Sequence, residues 1–164
     1  MNEATGHSCG EAEEEKDRHL LIAVDGSAGS TKAVLYVADL LGLFPGIRIS
    51  LLHVILLPRD EDFPGFSSRE DALRAQEEEA RAFLERYREL LFQGGFSPGK
   101  VNIVVLSTDR EPVAETILKK HEEIGSCTIV LGRRGMSQQE EFLFGSVSSR
   151  VVHKARSCSV WVIE

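Results

Sequence analysis

Three glycines and a serine near the carboxyl end of the chain have the clearest chemical meaning. They are Gly132, Gly135, Gly145 and Ser146. A β-branched run over 128–131 precedes them and an amphipathic pattern over 147–155 follows, so they connect a predicted buried strand to a predicted helix. Glycines let backbone N–H groups approach an anion closely, and a helix N-terminus adds unpaired N–H groups and a positive dipole end. The segment therefore predicts a phosphate-binding loop, although an ordinary strand–loop–helix connection could use similar residues.

Side chains in and beside this segment could strengthen or weaken such a site. The Ser146 hydroxyl is placed either to cap the following helix or to turn toward a phosphate or a metal ion. Arg133 and Arg134 either neutralise phosphate through forked contacts or are solvated surface arginines. Glu140 and Glu141 would repel a triphosphate unless a divalent cation lies between the charges. The sequence thus leaves the strength of phosphate binding open.

An aspartate near the amino end of the chain is the second chemical signal. Asp25 follows the apolar run 20–24 and is followed by Gly26 and Ser27. Its carboxylate could accept hydrogen bonds from a sugar or base, or help to hold a metal ion. Asp-Gly-Ser is also favourable turn chemistry without any ligand, and the two roles are compatible.

Strand and helix patterns alternate along the chain and predict how these residues are positioned. The predicted strands cover 19–25, 47–55, 100–106, 127–132 and 158–163, and the predicted helices cover 29–43, 69–93, 111–123 and 147–155. Short apolar strands alternating with helices indicate a doubly wound, Rossmann-like α/β fold, with a five-stranded parallel sheet and helices on both faces. Ligands of such sheets bind outside the carboxyl ends of the strands, where the winding direction reverses.

The spacing Gly-x2-Gly-x9-Gly-Ser resembles the nucleotide-binding pattern of ATP-binding universal stress protein domains. Residues 20–27, 51–55 and 159–163 are similar to the first, second and last strands of that family, so the resemblance spans about 18–164 in family order. It implies an adenine nucleotide alpha hydrolase-like sheet with strand order 3-2-1-4-5. The switch point would then lie between strands 1 and 4, which end near Asp25 and Gly132.

The resemblance also implies a set of binding residues. Asp25 and the backbone of Ala23 would border the nucleoside, and the main chain of Val54 would read the adenine edge. The residues implied to wrap the ribose and phosphates are Gly132, Arg133, Arg134, Gly135, Met136, Ser137 and Gln138. Those implied to bind the distal phosphates are Gly145, Ser146, Val147 and Ser148. The implied ligand is ATP, AMP or ADP with Mg²⁺ or Mn²⁺, whose protein ligands remain unassigned. Ser149 and Ser159 depart from common family residues and leave the nucleotide choice open.

Composition limits the class of protein. With 164 residues, 42% hydrophobic and 27% charged, the chain suits one soluble domain over 18–164. Residues 1–17 contain six acidic residues and one basic residue, so this predicted disordered tail has five of the seven net negative charges. The absence of a basic face argues against nucleic acid, and no apolar stretch is long enough for a membrane helix. Without a signal-peptide pattern, a cytoplasmic location is expected.

The sequence gives little support for a dedicated catalytic function. The chain lacks the GxxxxGK[ST], GxGxxG and HExxH motifs, and no general base can be identified. His53 lies in an apolar strand, where a core histidine is expected, while His121 and His153 lie on helices among charges and are expected to be exposed. The expectation is nucleotide binding with at most slow ATP hydrolysis and no catalytic residue.

Three cysteines, an odd number, favour free thiols over a disulfide framework. They are Cys9, Cys127 and Cys158. The last two stand at the starts of predicted strands, where core packing is expected and a redox role is the alternative.

The last predicted strand would be an apolar sheet edge, and such edges pair with other chains. Because family members commonly dimerise through this strand, a homodimer that pairs through residues 158–163 is expected, although Trp161 could instead pack under the long helix.

The sequence is compatible with three functions. The first is an ATP-dependent regulatory switch in the stress response, and the others are a dimeric interaction module without nucleotide and a weak ATPase. The protein partner and the signal are not predicted.

Overall fold

Five parallel strands form one sheet in the order β3-β2-β1-β4-β5 in a computed structural model, which describes residues 18–57, 68–133 and 146–164. The strands are β1 (Arg18–Ala23), β2 (Ile47–Leu56), β3 (Val101–Thr108), β4 (Thr128–Gly132) and β5 (Ser159–Ile163). The helices of these ranges are α1 (Ala28–Leu41), α2 (Arg69–Gln93), α3 (Val113–Ile124) and α4 (Ser146–Lys154), with a 3-10 turn at Pro98–Lys100. The predicted fold class and strand order are confirmed. The predicted tail over 1–17 lies outside the described residues.

Side chains that alternate along the central strands divide the core between the two faces of the sheet. Leu20 and Ile22 pack with the buried faces of α1 and α2, whereas Leu21 and Ala23 pack with α3 and α4. Because β1 is covered on both sides, its sequence contains a continuous apolar run, as expected for a central parallel strand.

A close approach of two glycines lets α1 and α2 pack together at their carboxyl ends. A Cβ at Gly42 would lie 1.7 Å from the Gly94 carbonyl oxygen, so neither helix end has room for a side chain at this contact. The apolar spacing of α1 would place Leu40 on its buried side, but Leu40 is 45% exposed, because the helix packs on the sheet through a narrower face formed by Ala33, Val34, Val37 and Ala38.

The buried state of His121 contradicts the expectation that it is exposed. Its Nε2 lies 3.3 Å from the Arg156 carbonyl oxygen and its Nδ1 lies 2.7 Å from the Ser126 hydroxyl. Because both ring nitrogens have hydrogen-bond partners, burial of the His121 ring costs little free energy. The charged neighbours of His121 in the sequence could not indicate these partners. His153 is exposed, as predicted.

Of the two described cysteines, Cys158 agrees with the expected core packing and Cys127 does not. Cys158 is half-buried and packs against the α3–α4 side of the core, but Cys127 is exposed. Trp161 contacts Tyr36 of α1 edge-to-face, with ring centroids 6.4 Å apart, rather than packing under the long helix α2. No helix within the described ranges combines the length and apolarity needed to cross a membrane.

His19 should make stability depend on pH. Burial, followed by the nearby Arg48 charge, lowers the pKa of His19 below its ordinary value, while its Nε2 lies 2.9 Å from the Ser50 hydroxyl. The unfolded chain therefore holds this proton more tightly, so stability is lost as pH falls through about 6.5. We expect His19→Gln, which can still hydrogen-bond to Ser50, to reduce the fall in the urea midpoint between about pH 7.5 and pH 5.5. Equal falls in both proteins would show that other groups control this dependence.

Candidate functional site

The described residues that were predicted to bind nucleotide gather at the carboxyl edge of the sheet. Ala23 and Gly132 end the adjacent strands β1 and β4, and Asp25 lies two residues beyond β1. The start of α4 contains Ser146, Val147 and Ser148. Six further predicted residues lie outside the described ranges: Arg134, Gly135, Met136, Ser137, Gln138 and Gly145. The edge where the predicted crevice should lie therefore contains eight of the fourteen predicted residues.

Asp25 holds the turn between β1 and α1. Its Oδ1 accepts hydrogen bonds from the Ser30 hydroxyl at 2.6 Å and the Ser27 N–H at 3.0 Å. The Ser27 hydroxyl in turn accepts from the Ser30 N–H at 3.2 Å and caps α1. The turn role predicted for Asp25 is thus present, and the carboxylate is held beside the N-terminus of a helix, where negative charge is favourable.

Val54 lies where β2 extends beyond β1. The pairing of the two strands ends at Ala23 and Leu52, and the Val24 N–H then donates to the Leu52 carbonyl at 2.9 Å. Peptide groups two residues apart in a strand face the same side, so the N–H and C=O of Val54 face the side of β1 after β1 has ended. The Val54 side chain packs against the α3–α4 core, as expected. Its backbone is therefore directed at the predicted adenine position.

His53 supports the end of β1 rather than acting as a base. Its Nδ1 lies 2.8 Å from the Val24 carbonyl oxygen, and because a carbonyl only accepts, Nδ1 carries the proton. The ring also meets Phe83 edge-to-face, with centroids 4.9 Å apart. This agrees with the core role expected for His53.

Gly132 allows β4 to touch the first turn of α1. A Cβ at Gly132 would lie 2.5 Å from the Gly29 carbonyl carbon and 2.8 Å from its oxygen. Both atoms belong to the backbone, so they could not move aside without displacing the helix. Gly132 thus sets the distance between the Asp25 turn and the end of β4.

Arg133 and Ser148 join α4 and β5 to the same edge. The Ser148 hydroxyl donates to the Arg133 carbonyl at 2.9 Å, and the Arg133 N–H donates to the Ile163 carbonyl at 2.7 Å. The Arg133 guanidinium forms an ion pair with Glu164. A phosphate would have to compete with that carboxylate for Arg133. Ser146 is the first residue of α4, and its predicted capping or phosphate-binding role stays a prediction.

Sequence reasoning missed several residues that shape this edge: Ser27, Gly29, Ser30 and Glu164. The Ser27 cap could have been found, because a serine three residues before Ser30 at a helix start is a capping signal. The contacts of Gly29 and Glu164 join residues distant in sequence and have no local signature. Within the described ranges, no cluster of three or more His, Cys, Asp or Glu residues could hold a metal ion.

The edge combines two helix N-termini, from α1 and α4, with backbone groups at the ends of β1, β2 and β4. Helix N-termini offer N–H groups and positive dipole ends to an anion. Peptide groups at strand ends can form hydrogen bonds with the polar edge of a flat ring. A phosphorylated ligand with such a ring matches both features.

Known proteins are similar to this chain in sequence and in fold. The sequence model of the universal stress protein family matches residues 17–164. A universal stress protein of Mycolicibacterium smegmatis is 30% identical over 138 residues, which cover 83% of this chain and 45% of that protein, so this chain spans less than half of that relative.

Among solved structures, hypothetical protein MJ0577 is 26% identical with a TM-score of 0.73, covering 90% of this chain and 96% of that one. Two further solved structures share the fold. A universal stress protein in complex with cAMP is 14% identical with a TM-score of 0.62, covering 90% of this chain and 96% of that one. A universal stress protein from Archaeoglobus fulgidus in complex with dAMP is 22% identical with a TM-score of 0.60, covering 90% of this chain and 98% of that one. The match over almost the whole domain shows that this chain belongs to the universal stress protein family.

Proposed function

We propose that this protein binds an adenine nucleotide at the carboxyl edge of its sheet and acts as an ATP-dependent regulatory switch in the stress response. The observation that carries the proposal is the meeting of the Asp25 turn, the backbone of Val54 and the N-terminus of α4 around the ends of β1 and β4. Relatives of the same fold that bind cAMP or dAMP support an adenine ligand.

Each part of the edge would have a distinct role. The Val54 peptide groups would hydrogen-bond to the adenine edge, and Asp25, held by Ser27 and Ser30, would accept from the ribose. The α4 N-terminus would face phosphate. A Mg²⁺ or Mn²⁺ ion would be held mainly by the nucleotide phosphates and would offset the acidic residues Glu140 and Glu141.

Calorimetric titration of nucleotide-stripped protein with ATP and Mg²⁺ tests this site. We expect saturable binding in the wild type and its loss in Gly135→Val and Gly145→Val, because a side chain at either position would obstruct close backbone contact with phosphate. Circular dichroism would establish that both variants are folded. Parallel titrations with AMP and cAMP would identify the preferred nucleotide.

Two other functions of the fold make different predictions for the same experiment. Neither heat nor thermal stabilisation at millimolar ATP would contradict the proposal and favour a dimeric interaction module without nucleotide. Measurable ATP turnover that Asp25→Ala abolishes while binding is retained would instead favour a weak ATPase.

The proposal includes a cytoplasmic homodimer that pairs through β5. β5 lies at the edge of the sheet, and its residues Val160, Trp161, Val162 and Ile163 are apolar. Nucleotide binding at the neighbouring end of β4 would shift the population of a surface that partners recognise.

A further inference from the structure

Two cysteines occupy opposed positions at the amino ends of β4 and β5. The strand register pairs Thr128 with Ser159, and the Ser159 N–H donates to the Cys127 carbonyl at 3.0 Å. Cys127 and Cys158 each precede one of these paired residues, so they form the next opposed pair of the two parallel strands. Neighbouring strands lie about 4.8 Å apart. This spacing falls within the Cα separation of about 4.4–6.8 Å that a disulfide spans.

The two cysteine positions lie on the same face of the sheet, and the Cys127 thiol itself lies 3.7 Å from the hydroxyl of the adjacent Thr128. Cys158 packs with Val160 on the α3–α4 side of the core, the side that also receives Ile129 and Leu131. Because side chains alternate along a strand, position 127 shares the face of Ile129. In agreement, burial and then the charge of a Cys127 thiolate raise the pKa of Cys158.

His121 holds together the two segments that lead into the cysteines. Its buried ring contacts Ser126, which precedes Cys127, and the carbonyl of Arg156, which lies two residues before Cys158. The pair is therefore fixed on one side by the strand register and on the other by this histidine.

Exposure assigns different roles to the two free thiols. Cys127 is exposed and can meet a solute, whereas Cys158 is half-buried beside it. We propose that Cys127 and Cys158 form a reversible disulfide when the protein meets a hydroperoxide, with Cys127 as the attacking thiol and Cys158 as the resolving thiol. This inference does not depend on nucleotide binding.

The reaction balances with the hydroperoxide as the only oxidant. The Cys127 thiolate attacks one peroxide oxygen, the O–O bond breaks, and Cys127 becomes a sulfenic acid. The other oxygen leaves as an alkoxide or hydroxide, which takes the proton that Cys127 gave up and becomes an alcohol or water. The Cys158 thiolate then attacks that sulfur, forming the S–S bond and releasing hydroxide, which takes the proton that Cys158 gave up and leaves as water. Two equivalents of a cellular thiol would return the pair to two thiols by exchange and would themselves be oxidised to a disulfide.

Peroxide treatment of the full-length Cys9→Ser protein tests the proposal, because only the two strand cysteines then remain. We expect titratable thiols to fall from two to zero, the intact mass to fall by about 2 Da, and a linked Cys127–Cys158 peptide to appear. Dithiothreitol should restore both thiols. The oxidised protein should have a higher melting temperature, because the disulfide closes a loop of the chain that contains α4.

Matched variants separate this cross-link from ordinary cysteine oxidation. Cys9→Ser/Cys158→Ser, shown to be folded by circular dichroism, should accumulate sulfenic acid at Cys127 without an intrachain link. The proposal is overturned if the Cys9→Ser protein retains a titratable Cys158 while Cys127 becomes sulfinic acid. It is equally overturned if its only disulfides join separate chains.

Discussion

Replacing Gly132 with alanine should both destabilise the protein and weaken nucleotide binding. The new Cβ would lie 2.5 Å from the Gly29 backbone, closer than real Cβ atoms approach other atoms. To relieve this overlap, α1 must move away from β4, and overpacking of this kind costs about 3 kcal/mol. For a domain of this size, such a loss lowers Tm by roughly 10 °C.

The same movement would displace the Asp25 turn, because Ser27 and Ser30 bind Asp25 to the start of α1. We therefore expect nucleotide affinity to fall about tenfold or more, which corresponds to about 1.4 kcal/mol. Thermal unfolding and calorimetric titration, below the melting temperature of the variant, measure the two effects separately.

Gly99→Ala is the matched control, because a Cβ at Gly99 would have no atom within 4 Å. Its stability should change by no more than about 0.5 kcal/mol and its nucleotide affinity should not change. A Gly132→Ala protein as stable as this control would show that β4 and α1 do not depend on the close approach.

Replacing Val162 with proline should convert the expected homodimer into a monomer. The Ser159 N–H and the Ile163 carbonyl bond to the two residues that flank β4, Cys127 and Arg133, so the odd-numbered peptide groups of β5 face inward. The peptide groups of Val160 and Val162 then face the outer edge, where a second chain would pair. Proline at 162 removes an outward N–H without removing a bond to β4.

Light scattering should report twice the chain mass of 18.2 kDa for the wild type at micromolar concentration and a single chain mass for Val162→Pro. Val162→Thr is the control, because it keeps both the N–H and the β-branched shape, and it should remain a dimer. Circular dichroism should find all three proteins folded. A dimeric Val162→Pro protein would place the interface elsewhere, and a monomeric wild type would contradict dimerisation itself.

Local patterns were sufficient to predict the fold class, whereas the strand order was implied by the resemblance to the universal stress protein family. The alternation of apolar strands with amphipathic helices identified every strand and α-helix of the described ranges, and α2 was predicted with the bounds observed. The spacing of apolar residues within an element indicates which of its faces is buried. The type of each element can therefore be predicted without knowing the elements that pack against it. The short turn at Pro98–Lys100 was missed because it has no apolar periodicity.

The sequence by itself also predicted where a ligand should bind, since Asp25 and Gly132 lie at or just beyond the carboxyl ends of strands that share one edge of the parallel sheet. Only the tertiary structure decided what those residues contact: Gly132 meets Gly29, Arg133 pairs with Glu164, and buried His121 joins two loops. The tertiary structure likewise decided that Cys127 is exposed beside Cys158. The physical reason is that periodicity records which face of an element is buried, whereas a contact between distant residues depends on register and on helix position, which are set only when the elements pack together.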